Sequence, residues 1–136
     1  MLLSVKPEFA NLIIEGKKTV ELRRKFPIDK VIGGMAVIYA SSPIQKIIGY
    51  ACIENVLYLN LDEIWYQYAK QCRVERSFFD RYFDNLQYGF AVQLTKPVQF
   101  KKQVSLQELK DKYSIAPPQS YRYLSPEILE GMTILV

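Results

Sequence analysis

Histidine is absent from the 136 residues, and cysteine and tryptophan are nearly so, with two Cys and one Trp. Without an imidazole, Ser-His-Asp and Cys-His nucleophile systems, the HExxH zinc helix and a histidine general base at neutral pH are all excluded. Proton transfer is left to Lys, Tyr, Cys or carboxylates. Cys52 and Cys72 form no CxxC pair and have no His to complete a tetrahedral set, so no metal is expected; both read as reduced core thiols. Long apolar runs are also missing: none approaches the roughly 20 residues that cross a bilayer. The apolar start, Met1 to Val5, meets Lys6, Pro7 and Glu8 too soon to form a secretory h-region. A cytoplasmic protein without a membrane partner is expected.

The residues that are present suit one core. At 136 residues and 49% hydrophobic content, a single domain over 1–136 is expected. Lys and Arg number 18 against 14 Asp and Glu, a net charge of +4. That excess is compatible with an anionic partner without demanding nucleic acid.

Leu2 to Val5 reads as a strand, and Pro7 suits the first turn of a helix in which Phe9, Leu12 and Ile13 share a face. Gly16 stands where a left-handed cap would end it. Lys17 to Arg24 reads as a strand, with Val20 and Leu22 on one face and Thr19, Glu21 and Arg23 on the other. Further strands are expected over Met35 to Ala40 and Lys46 to Val56, the latter with a bulge or close backbone approach at Gly49. Asn60 with Glu63 opens a helix carrying Leu61, Ile64, Trp65, Tyr68 and Ala69, and a short helix follows over Ser77 to Phe83. Phe90, Val92 and Leu94 alternate as a strand that Pro97 ends or marks as an edge. Ser105 with Glu108 starts a helix to about Tyr113, Ser125-Pro126-Glu127 starts the last, and Thr133 to Val136 reads as a final strand. The fold class is α+β, with about six short strands in a curved sheet or small barrel and interleaved helices.

Three segments carry groups with chemical potential. Gly16 to Arg24 gathers Lys18, Glu21 and Arg23, the last two separated by about 6.6 Å of strand rise. Residue types alone favour an ordinary solvated strand face there, with ion pairs worth about 0 to 1 kcal/mol. Tyr39-Ala40-Ser41-Ser42-Pro43 ends a strand in two hydroxyls, which either hold a phosphate or base edge or satisfy their own turn. Pro117-Pro118-Gln119-Ser120-Tyr121-Arg122-Tyr123 presents an amide, a hydroxyl, rings and an Arg on a stiffened segment. Such groups suit base stacking and base-edge contacts, or strap a loop over the core.

In this order the three segments resemble the ASCH domain, a branch of the PUA-like superfamily, over about residues 2 to 124. Gly16, Lys18, Glu21 and Arg23 match its Gly-x-Lys-x-x-Glu-x-Arg signature, and Ser4-Val5-Lys6-Pro7 resembles the usual entry into the first helix. The resemblance implies a small PUA-like mixed β-barrel with flanking short helices and a cleft that binds RNA or a modified nucleoside or nucleotide. Its candidate contacts are Lys6, Lys18, Glu21, Arg23, Ser41, Ser42, Gln119, Ser120, Arg122 and Tyr123, with no cofactor. A hydrolase is the alternative. Some relatives are ribonucleases, and others open the amide of N4-acetylcytidine with a signature-strand Lys and a Thr where this chain has Glu21. Lys18 and Glu21 would then be catalytic. A third reading is a regulatory protein-interaction domain with an apolar patch near Phe78, Phe79 and Phe83.

Overall fold

The computed structural model describes residues 1–136. Its elements run β1 (Leu2–Val5), α1 (Pro7–Ile14), β2 (Val20–Arg23), β3 (Met35–Ala40), β4 (Lys46–Asn60), α2 (Leu61–Cys72), α3 (Arg76–Tyr82), β5 (Tyr88–Ser105), α4 (Leu106–Tyr113), β6 (Tyr121–Arg122) and α5 (Pro126–Thr133). The six strands form one sheet in the order β2-β5-β4-β3-β1-β6. Only the β1–β3 pairing is parallel. No helix is long and apolar enough to cross a membrane.

Helix boundaries follow local chemistry. Pro7 occupies the first turn of α1, where no N–H is needed. The side chains of Asn60, Ser105 and Ser125 accept from the backbone N–H groups of Asp62, Glu108 and Ile128 at the starts of α2, α4 and α5. Curvature comes from β4 and β5, whose ladder shifts register at Ile47/Gly49, Tyr50/Cys52 and Ile53/Asn55. Each irregularity adds twist and bend, and the sheet curls into a half-barrel. At Gly49 a Cβ would stand 2.2 Å from the carbonyl oxygen of Val98, so the backbones meet there as the sequence suggested.

Both faces of the curled sheet are covered. Leu3, Val5, Ile38, Ile53, Val92 and Leu94 pack on one face with Ala10 and Ile13 of α1. Their neighbours Leu2, Val37, Tyr39 and Ile47 face the opposite cluster, which α4 and α5 cover through Leu109 and Met132. Val20, Leu22 and Ala91 pack with Ile64 of α2 and Phe79 and Phe83 near α3. Phe79 and Phe83 are each only 1% exposed. The apolar patch expected around them is therefore core, filled because α3 must bury one face against β2.

Several strand expectations change: the signature strand is only Val20–Arg23, because Lys17 to Thr19 form the turn off α1, and β4 runs on past Val56 to Asn60. Thr133 to Val136 forms no strand: Pro126 and the Ser125 cap launch a helix that consumes Thr133. The sixth strand is instead Tyr121–Arg122, paired with Leu3 and Leu2. β5 continues past Pro97 to Ser105, because β2 covers it only from Phe90 to Gln93 and leaves Pro97 on an open side.

The packing at two glycines predicts opposite stability changes. Gly49→Ala, forcing a Cβ into Val98, should lower the urea midpoint by the equivalent of about 1–3 kcal/mol. Gly131→Ala, in α5 with open space around the new Cβ, should raise it by about 0.5–1 kcal/mol.

Candidate functional site

The site begins at the end of α1. Gly16 adopts φ +77° and turns the chain, after which the amides of Lys17 and Lys18 both donate to the carbonyl of Leu12, at 2.9 and 3.0 Å. This turn aims Lys18 inward. Its Nζ donates to the carbonyl of Cys72, the last residue of α2, and lies 4.9 Å from the Phe9 ring centroid. A helix C-terminus leaves carbonyls unpaired and partially negative, so an ammonium there is favourably placed.

Glu21 and Arg23 continue the network from β2. Glu21 Oε1 stands 3.7 Å from Lys18 Nζ, and Oε2 is 2.8 Å from Arg23 Nη2. The Arg23 guanidinium reaches across to the far edge of the sheet. Nη2 donates to the carbonyl of Ser4 at 2.9 Å, and Nη1 to the carbonyl and hydroxyl of Ser120, both at 3.2 Å. Past the last β1–β6 pair, Leu3 with Tyr121, the Ser4 amide donates to the Ser120 carbonyl at 3.0 Å, and the Ser4 carbonyl takes Arg23. Arg23 Nε is buried with no partner. Lys18, Glu21 and Arg23 are 2%, 7% and 6% exposed, so the solvated strand face favoured by residue types is replaced by a buried charge network.

These groups line a cleft of about 780 Å³. Lys6, Lys18, Glu21, Arg23, Ser41, Gln119 and Ser120 all border it, whereas Ser42, Arg122 and Tyr123 do not. Ser42 is exposed in the turn after β3. Arg122 is exposed and donates to the carbonyl of Ala116 at 3.4 Å, and Tyr123 is 61% exposed against Tyr121. Sequence reading missed Phe9 and Phe78 on the apolar wall and Arg24, Lys25 and Arg81 at its rim. The cations at 24 and 25 continue the signature strand, which was the signal available for them.

A family model for the ASCH domain matches residues 3–121. The chain belongs to the ASCH domain family. An "ASCH domain-containing ribonuclease" of Zymomonas mobilis is 31% identical over 134 residues, covering 98% of this chain and 89% of that protein. The crystal structure of ASCH from Zymomonas mobilis superposes with a TM-score of 0.91 at 29% identity, covering 98% of this chain and 93% of the other. The large ribosomal subunit protein uL22 of Ureaplasma parvum is 25% identical over 126 residues; the match covers 91% of this chain and 39% of that protein. The ASCH resemblance seen in the signature residues is thus found, and the small α+β β-barrel it implied takes the form of a six-strand curled half-barrel sheet.

Burial governs the titration of this ASCH domain's inner groups. Desolvation lowers the Lys18 pKa from its ordinary value, and the nearby Glu21 carboxylate opposes the shift. Desolvation raises the Cys72 thiol to about 11, against an opposing pull from Lys18. Both cysteines are free thiols, Cys52 half-buried and Cys72 buried.

Two outcomes are expected. At pH 8 a maleimide should label Cys52 in the folded protein and reach Cys72 only after denaturation, read as labelled mass by intact-protein mass spectrometry. Arg23→Ala strips Glu21 of its closest cation and the Ser4 carbonyl of its guanidinium donor, and should cost about 3–5 kcal/mol in urea unfolding.

Proposed function

We propose that this ASCH domain is a cytoplasmic RNA-binding module that holds a single strand in the cleft around Lys18, Glu21 and Arg23. One observation carries the reading. Arg23 Nε is a buried, charged donor without a partner, in a cleft whose lining holds Lys6, Lys18, Arg23, Arg24, Lys25 and Arg81 against one carboxylate, Glu21. Buried donors are normally paired, and an unpaired one at a binding cleft calls for an acceptor from a ligand. A phosphate or base carbonyl oxygen supplies it. Rim cations suit the sugar-phosphate backbone, Phe9 and Phe78 offer apolar faces, and Ser41, Gln119 and Ser120 suit base edges.

Ribonuclease activity is the second reading, favoured by the Zymomonas mobilis relative that bears that name. In it the RNA 2′-oxygen attacks the adjacent phosphorus, the bond to the 5′-oxygen breaks, and a 2′,3′-cyclic phosphate results. Lys18, its ammonium disfavoured by burial, and Glu21 exchange the protons, while Arg23 stabilises the charge on the phosphorane oxygens. Amide hydrolysis of N4-acetylcytidine has no such support, since Thr19, the nearest threonine, is exposed and outside the cleft.

Titration of a labelled 12-nucleotide single-stranded RNA tests both readings. Affinity should fall with salt, and Lys25→Ala or Arg81→Ala, at exposed positions, should each reduce the log-log salt slope by about 0.7. Cyclic-phosphate product that disappears in Glu21→Gln would establish the ribonuclease, and saturable binding of intact RNA would leave the module alone. Absence of binding would overturn both.

A further inference from the structure

The register of the sheet places Arg23 at the end of an aromatic row. Arg23 on β2 lies opposite Phe90 on β5, and Phe90 lies opposite Tyr58 on β4. Directly opposed residues share a face of the sheet, and neighbouring strands are about 4.8 Å apart. Aromatic surface therefore starts one strand away from Arg23, a buried cation of the cleft. Tyr88 extends it, two residues before Phe90 on the same face. The Tyr58 ring lies 4.6 Å from Phe90 and 5.5 Å from Tyr88, with 25° between the two tyrosine planes. Tyr58 is 53% and Tyr88 46% exposed.

Two features join this surface to the cleft. Arg24 donates to the carbonyls of Tyr82 and Asp84, at 2.8 and 3.0 Å, and ties the segment leading into β5 against the end of β2. Lys25, next along, is exposed and lines the cleft. Continued two residues past the Arg23–Phe90 pair, the antiparallel register would set Lys25 opposite Tyr88, the first residue of β5.

We propose that Tyr58, Tyr88 and the open side of Phe90 form a stacking shelf for unpaired bases of the RNA strand whose backbone the cleft holds, an inference that rests on the RNA reading above. Cross-strand aromatic pairs stabilise a sheet, but that role leaves no reason for half of each tyrosine to stand in water beside a cationic cleft. Exposed rings next to phosphate-binding cations are the arrangement that single-stranded nucleic acid uses: stacking accepts any base, and the cations take the backbone. Rigid rings also lose little conformational freedom when a base settles on them.

The test compares a 3-nucleotide with a 12-nucleotide single-stranded RNA, by calorimetry or anisotropy, on the full chain. Tyr58→Ala and Tyr88→Ala should each weaken the 12-mer by about 5- to 150-fold, the range equivalent to one lost base stack. They should leave the 3-mer unchanged, and Tyr58→Phe and Tyr88→Phe should keep 12-mer affinity. A 12-mer with abasic sites outside its 3-nucleotide core should bind wild type at least about 5-fold more weakly than the intact 12-mer does. That arm needs no substitution and stands even where an Ala variant fails to fold. Wild type binding the abasic and intact 12-mers alike would overturn the shelf and leave the cleft reading intact. Wild type binding neither length would overturn the RNA reading and the shelf with it.

Discussion

The guanidinium of Arg23 takes the place of a strand pairing. The sheet has two edges, β2 and β6, and no backbone ladder joins them. Across this seam Arg23 reaches from β2 to the carbonyls of Ser4 and Ser120, while Glu21 beside it holds the same group in place. Three features of arginine make this possible: a planar fork of donors, a charge that does not titrate, and weaker hydration than an ammonium. Lysine carries its three donors on one compact centre and lacks the planar fork that spreads them toward Ser4, Ser120 and Glu21.

Closure of this kind is expensive, since Lys18, Glu21 and Arg23 are all buried. Buried ion pairs seldom stabilise more than apolar residues of the same volume would. What such a network does provide is rigid, preoriented charge in a space from which water is partly excluded, where each contact to a ligand is stronger than in bulk solvent. The end of α2 contributes to it, because the Cys72 carbonyl takes up Lys18 and leaves Glu21 to be shared with Arg23. Core packing and the proposed ligand recognition therefore rest on the same side chains.

Much of the fold is legible because its signals are local. Pro7 announces a helix start by its missing N–H, Asn60 and Ser105 do so through a bond within a few residues, and Gly49 marks the approach of two backbones. The signature residues Gly16, Lys18, Glu21 and Arg23 pointed to one strand, and Lys6, Ser41, Gln119 and Ser120 border the same cleft. The parts that escaped depend on distance. Charged side chains ordinarily sit outside, and the burial of Glu21 and Arg23 follows from partners up to 97 residues away. A two-residue strand has no periodicity, so β6 could not be seen, and the tail after Ser125 looked like the missing strand. Phe79 and Phe83 read as a surface patch for the same reason: only α3 lying on β2 and β5 explains their burial.

The seam also sets the order in which the molecule can be finished during synthesis. β1 is made first, yet its outer neighbour β6 and the carbonyl of Ser120 emerge only near the end of the chain. Contacts between such distant segments are the slowest to form, because a long loop must close before they are rewarded. The antiparallel β4–β5 pair and the two helices between its strands, α2 and α3, can assemble on a nascent chain, while the cleft stays open until Ser120 has left the ribosome. The proposed binding cleft is thus the part of the fold completed last in the sequence, and a chain cut short of Ser120 carries every signature residue and still lacks the wall against which Arg23 is held.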